Sequence, residues 1–230
     1  MGITDVKLDD SQSVYYAYDL KTREAEVEVA KVELKQFIAD LNTKSGTDFK
    51  EWIASKMDIS LFLKTYATNV MVGMWDDYWL NGNNFYFYFG GDGKYYFIPY
   101  DYDNTLGTSG IIANSGTQDP LNWGDGRVKP LITKILAVPE YKAMYKQYLK
   151  ELISPTSDLF DATKSINRIM VWKNLINTYV PNDTGEDMSI YDHPASWGNA
   201  SFYRLYSGND QGGANGEANF FKTRAKTITW

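Results

Sequence analysis

A chain of 230 residues with 43% hydrophobic and 16% aromatic residues can bury a sizeable core, which excludes an intrinsically disordered protein. Its net charge of -6, with no run of Lys and Arg, excludes a protein built to grip nucleic-acid phosphates. With no cysteine there is neither a disulfide framework nor a thiolate zinc site, and no apolar run approaches the roughly 18 residues of a membrane span.

The opening MGITDVKLDD has neither the basic start nor the apolar core of a signal peptide, and Val6 stands where a myristoylation signal needs Ser or Thr. Residues Val14 to Leu20 (VYYAYDL) are β-branched and aromatic and predict a short strand. Helical periodicity follows: Ala30, Leu34, Phe37, Ile38 and Leu41 recur on one face. A second helix is expected from about Phe49 to Lys56. A third is expected after Asp58, its N-cap, through ISLFLKTYATNVMVGMW; being apolar on most sides, it belongs at the centre of the core.

Phe85 to Phe89 and Tyr95 to Ile98 read as strands joined by a Gly90–Gly93 turn, with Asp92 a turn residue. Both faces of this hairpin are apolar or aromatic, so both are expected to be covered. Thr108 to Lys129 reads as loop. Pro130 and Pro139 each suit the first turn of a helix, the first through Leu136 and the second over EYKAMYKQYLKELI. A further helix is expected over Leu159 to Tyr179, a Gly- and Asn-rich loop region over 180–218, and a final amphipathic piece to Trp230. No internal repeat or domain boundary is visible. The fold class is α+β, a mostly helical single domain over 1–230 with one central aromatic hairpin.

The strongest chemical signal brackets that hairpin. Asp76, Asp77, Asn81, Asn83 and Asn84 precede it, and Asp101 and Asp103 follow it. Phosphoryl transfer needs an Asp to orient the acceptor hydroxyl, an Asn to hold Mg²⁺, and a second Asp to bridge metal and phosphates. In kinases the first two lie on a loop before a strand and the second Asp follows the next strand. The same order runs here through Asp76, Asn84 and Asp101. Asn81 keeps the five-residue kinase spacing from Asp76, whereas Asn84 stands immediately before the strand. Strand placement favours Asn84, with Asn81 the alternative. Asp77, Asn83 and Asp103 are secondary ligands or turn caps, and Asp and Asn at such positions also serve as plain turn formers.

Competing sites fit less well. An EF-hand loop starting at Asp101 would need Gly at its sixth position and Glu at its twelfth, where Leu106 and Ile112 stand. The lone His193 has no nucleophile elbow, since the residues around Ser109 do not fit that frame. DQGGANGEA lacks the Lys-Ser/Thr of a P-loop. Asn182–Thr184 and Asn199–Ser201 match the glycosylation pattern, which matters only for a secreted eukaryotic chain. Exposed Trp and Tyr would suit a carbohydrate platform, but most lie in elements where core packing is the default.

At the hairpin the chain resembles the CotH family of spore-coat-type atypical protein kinases. The likeness rests on WDDYWLNGNNFYFYF and FIPYDYDNTLG, with Tyr100 where the family usually carries Trp. It extends through MDISLFLKTYATNVMVGMW and KPLITKILAVPEYKAMYKQYLKELI, from about Ala30 to Tyr179. The resemblance implies a protein-kinase-like C-lobe that uses ATP and Mg²⁺ or Mn²⁺ to phosphorylate Ser or Thr of a protein substrate. It places that activity in an extracellular or cell-surface setting, with a surface or polysaccharide-associated assembly as the expected partner. By position it makes Asp76 catalytic and Asp101 metal-binding, with Asn84, or else Asn81 or Asn83, completing the metal site. Family members carry an N-terminal nucleotide-binding lobe with basic residues, and no Gly-rich strand–turn–strand or strand lysine precedes Leu20. The chain therefore reads as a catalytic-lobe portion with weak or no activity alone, its nucleotide contacts unassigned. The alternative is a non-catalytic scaffold of the same fold that binds proteins or glycans.

Overall fold

The computed structural model describes residues 18, 20–103, 105–107, 115–124, 129–179 and 217–230. Most of the expected strand Val14–Leu20, His193, Ser109, both glycosylation patterns and DQGGANG lie outside the described residues.

After a short 3-10 turn at Glu24–Glu26, helix α1 spans Val27–Thr43 and buries Leu34, Phe37 and Leu41 from the expected face. Helix α2 spans Gly46–Lys56 and buries Phe49 and Ile53. It begins earlier than apolar periodicity predicts, because its first turn, Gly46, Thr47 and Asp48, is exposed and polar. Helix α3 spans Ile59–Met71, and the Asp58 side chain caps it by accepting from Leu61 N at 2.9 Å. Eight of its residues are buried, among them Phe62, Leu63, Tyr66, Val70 and a single carboxamide, Asn69.

Helix α3 stops short of the expected VGMW because of Gly73. That residue takes φ 71°, where its N–H bonds Val70 O at 3.1 Å and Met74 N bonds Asn69 O at 2.9 Å. These are the two bonds of a Schellman end. A Cβ on Gly73 would fall 2.8 Å from the Phe220 ring, so the glycine also admits the last helix.

Strands β1 (Phe85–Phe89) and β2 (Tyr95–Pro99) pair antiparallel, with Phe87 opposite Phe97. Phe85, Phe87 and Phe97 turn inward. Phe85 stacks on Phe97 at 5.5 Å, and Phe37 of α1 and Phe62 and Tyr66 of α3 pack against this layer. The outward face departs from expectation. Tyr86, Tyr88 and Ile98 are exposed, so the hairpin is covered on one side only. Alternating Phe and Tyr in FYFYF put the hydroxyl-bearing rings toward water.

Helices α4 (Pro130–Ala137) and α5 (Pro139–Leu152) each begin on the expected proline. α5 packs along α3, and α4 bridges α5 to α1. Lys134 of α4 donates to Leu41 O at 2.6 Å and Lys44 O at 2.5 Å, placing a cation on the carbonyl end of α1. Helix α6 (Ala162–Ile176) starts after Leu159 because Asp161 caps it, accepting from Lys164 N at 3.0 Å. Helix α7 (Glu217–Ala225) packs on α6 and sends Phe220 and Arg224 into the core. The architecture is α+β as expected, helical around one hairpin. No described helix is long and apolar enough to cross a membrane.

Candidate functional site

The chain leaving the Schellman turn of α3 first reaches Trp75, Asp76 and Asp77. Asp77 is 1% exposed and points inward. Its Oδ1 accepts from Leu80 N at 2.8 Å, and its backbone carbonyl accepts from the N–H of Asn81, Gly82 and Asn83 at 3.1, 2.7 and 3.2 Å. One residue thus folds the whole Asn-rich loop. Burial pushes its carboxyl up to about 8, against the pull of backbone donors at Leu80 and Trp79. A carboxyl so enclosed is a turn former and not an exposed ligand. Of the two roles sequence reasoning left open for it, the structure favours the cap.

The loop so folded brings the carboxamides onto Asp76. Asn81 Nδ2 donates to Asp76 Oδ1 at 2.5 Å, Asn84 Nδ2 to Oδ2 at 3.0 Å, and Asn83 Nδ2 more distantly to Oδ2 at 3.4 Å. Asn81 and Asn84 therefore both engage Asp76, one at each oxygen. They differ in setting: Asn84 is buried, and Asn81 and Asn83 are exposed.

Asn84 also closes the hairpin, its carbonyl accepting from Tyr100 N at 3.1 Å, one step beyond the paired strand residues. Asp101 follows one residue beyond this closing bond. The Asp101 carboxyl is held above the usual carboxylate range, first by the charge of Asp103, then by partial desolvation, with Asp76 adding to the rise. The three carboxylates thus share one field at the mouth of the hairpin. Beside them the outward rings of Tyr86 and Tyr100 stack at 4.7 Å and 23°, leaving an exposed aromatic step.

Beneath Asp101 the chain turns back to α3. Tyr102 Oη donates to Asn69 Oδ1 at 2.6 Å, and Leu106 N bonds Val72 O at 2.7 Å. Sequence reasoning missed Asn69, although a lone carboxamide beside Val70 and Met71 in the last turn of α3 was a visible signal. It also missed the enclosed Tyr66, whose hydroxyl lies against the Trp79 backbone and within the field of Asp77.

The donor set suits a hard divalent cation in kind: carboxylate oxygens, and carboxamides whose Oδ1 is left over when Nδ2 donates to Asp76. The mutual repulsion that raises Asp101 is what a cation would relieve. Among the described residues no three His, Cys, Asp or Glu side chains form a metal cage by themselves. A Mg²⁺-type ion does not require one, since it is commonly held by one or two carboxylates, water and substrate phosphates.

Nothing among curated proteins or solved structures matches the chain significantly. A family model described as CotH kinase protein matches residues 3–212, which include the Asn-rich loop, the hairpin and every helix from α1 to α6. The chain belongs to the CotH kinase family.

Proposed function

We propose that the chain carries the catalytic lobe of an ATP- and metal-dependent protein kinase that phosphorylates Ser or Thr of secreted or surface proteins. The observation that supports this reading is the Asn84–Asp76 hydrogen bond at the end of a hairpin whose return strand leads, one residue past the Tyr100–Asn84 bond, to Asp101. An acidic turn cluster with no further purpose would not need three carboxamides converging on one carboxylate.

In this reading Asp76 takes the acceptor proton. Each carboxylate oxygen has two lone-pair sites, so the single bond from Asn81 to Oδ1 leaves room for an incoming hydroxyl. The hydroxyl oxygen bonds to the γ-phosphorus of ATP, the bond to the ADP oxygen breaks, and the hydroxyl proton passes to Asp76. Asn81 and Asn84 hold the carboxylate in place through that step. Asp101, with the Oδ1 of Asn84 or Asn81, would hold Mg²⁺ or Mn²⁺, which supplies charge neutralisation for the phosphates. Asp103 raises the negative potential there. The Tyr86–Tyr100 step offers a flat face on which the nucleotide base can stack.

A second reading has the exposed tyrosines as its support: a non-catalytic surface module binding proteins or glycans through Tyr86, Tyr88 and Tyr100. Calorimetry with ATP and Mn²⁺, on a protein extended upstream of this chain to carry a nucleotide-binding lobe, separates the two. The kinase reading expects binding that Asp101→Ala removes. Equal binding by parent and variant would overturn the metal assignment, and no nucleotide binding by either would favour the module.

A further inference from the structure

We propose that Asn69 and Tyr102 are a positioning pair that sets Asp101 opposite Asp76, an inference that rests on the reading of Asp101 as the metal-binding carboxylate. Asn69 touches both arms of the site. Its backbone carbonyl accepts from Met74 N at 2.9 Å, at the start of the segment that leads to Asp76. Its side-chain Oδ1 accepts from Tyr102 Oη at 2.6 Å, in the residue that follows Asp101. One residue on the last turn of α3 therefore anchors both arms, which the bond from Leu106 N to Val72 O also ties together.

The chemistry of Asn69 argues that this contact is what it is for. It is 0% exposed in the apolar centre of the molecule, where an aliphatic residue would pack without polar cost. Among the described residues its Nδ2 has no partner, so the carboxamide offers an acceptor rather than a satisfied network. Asp101 needs such an anchor. Its backbone sits at φ 61°, outside the conformations most side chains prefer. Left to itself the segment would relax toward one of those. Tyr102 ties it down from one side, while Thr105 Oγ1 on Tyr102 O at 2.8 Å and Leu106 N on Val72 O at 2.7 Å hold the return of the loop.

Tyr102→Phe tests the pair, because it deletes the hydroxyl and keeps the ring. Mn²⁺ binding to the full chain, measured by calorimetry without nucleotide, is expected to weaken about 5- to 20-fold, with melting within a few degrees of the parent. In phosphate transfer the metal concentration for half-maximal rate is expected to rise by a similar factor, with a smaller change in the rate at saturating metal. Asn69→Leu should weaken Mn²⁺ binding alike, and the double variant should be no worse than either single one. Asp101→Ala separates this inference from its premise. Unchanged Mn²⁺ binding in Tyr102→Phe, beside loss in Asp101→Ala, overturns the positioning role and leaves the metal assignment standing. Unchanged or unmeasurable binding in parent and Asp101→Ala alike overturns both.

Discussion

Asn84, which closes the hairpin by accepting from Tyr100 N at 3.1 Å, and Asp101, the residue after Tyr100, both take left-handed backbone, φ 52° and 61°. Left-handed non-glycine residues cost roughly 1 kcal/mol or more, and Asn and Asp bear it best. Gly at either position would relieve that cost and lose the side chain, so the pair concentrates modest strain at the two positions proposed to supply metal ligands. Asn84→Gly and Asn84→Ala should both lose metal-dependent nucleotide binding. The Ala variant should also melt about 2–4 °C below the Gly variant, the shift that about 1 kcal/mol produces in a domain of this size. Equal melting points would show that no strain resides there.

Asp76→Asn should lower phosphate transfer at least about 100-fold, the usual scale for loss of a positioned general base. The isostere is not structurally silent here. Two carboxamide donors meet Oδ2 and a third meets Oδ1, so one amide N–H of the new side chain must oppose a donor. A stability loss of about 1 kcal/mol is expected with the loss of rate. Asn81→Ala removes one exposed donor and should cost far less rate. A rate for Asp76→Asn equal to that of the parent would remove Asp76 from the chemistry.

Asp77 gives the protein a pH-dependent stability. Burial pushes its folded carboxyl up to about 8, well above the 3.8 of a free side chain. Between about pH 4 and 8 the folded state therefore retains a proton that the unfolded chain has released. Stability then falls as pH rises through that window, by at most about 1.4 kcal/mol per pH unit from this group. Asp77→Asn keeps an oxygen for Leu80 N and removes the ionisation. Its melting curve should be flatter from pH 5 to 8 and lie above the parent at pH 8. Parallel pH profiles for the two would show that Asp77 is not the group responsible.

Much of the site was legible because it is local. The Asp58 cap, the prolines opening α4 and α5, and the order Asp76, Asn84, strand, turn, strand, Asp101 all depend on neighbours within a few residues or across one hairpin. The single-sided covering of the hairpin was misjudged because Phe and Tyr both count as aromatic, and only the hydroxyl marks which face meets water. Asp77 and Asp76 are adjacent and chemically identical, so nothing short of the folded loop tells the inward carboxylate from the outward one. Arg224 was beyond reach for another reason. Its guanidinium donates to Gln118 O at 2.6 Å and Val70 O at 2.5 Å and lies 5.0 Å from the Trp123 ring, contacts made only when distant segments meet. Burial lowers its pKa to about 10, so the Val70 and Gln118 carbonyls and the Trp123 ring sustain an enclosed cation at neutral pH.

Gly73 is where the end of α3, the last helix and the site are joined, and its substitution should be felt in all three. It requires φ 71°, and a Cβ would lie 2.8 and 2.9 Å from two atoms of the Phe220 ring, closer than carbon atoms approach without displacement. Phe220 is fully buried, so the ring has little room to retreat. Left-handed strain and overpacking together should make Gly73→Ala about 2–4 kcal/mol less stable. The two causes can be separated by shortening the ring in the double variant Gly73→Ala/Phe220→Leu. If the clash dominates, the double variant recovers part of the loss relative to Phe220→Leu alone. If left-handed strain dominates, the Gly73→Ala cost is the same in either background. Because the same turn presents Met74 N to Asn69 O, the displacement should also weaken Mn²⁺ binding by the folded chain. Intact metal affinity in a destabilised Gly73→Ala protein would show that the turn sets stability without setting the site.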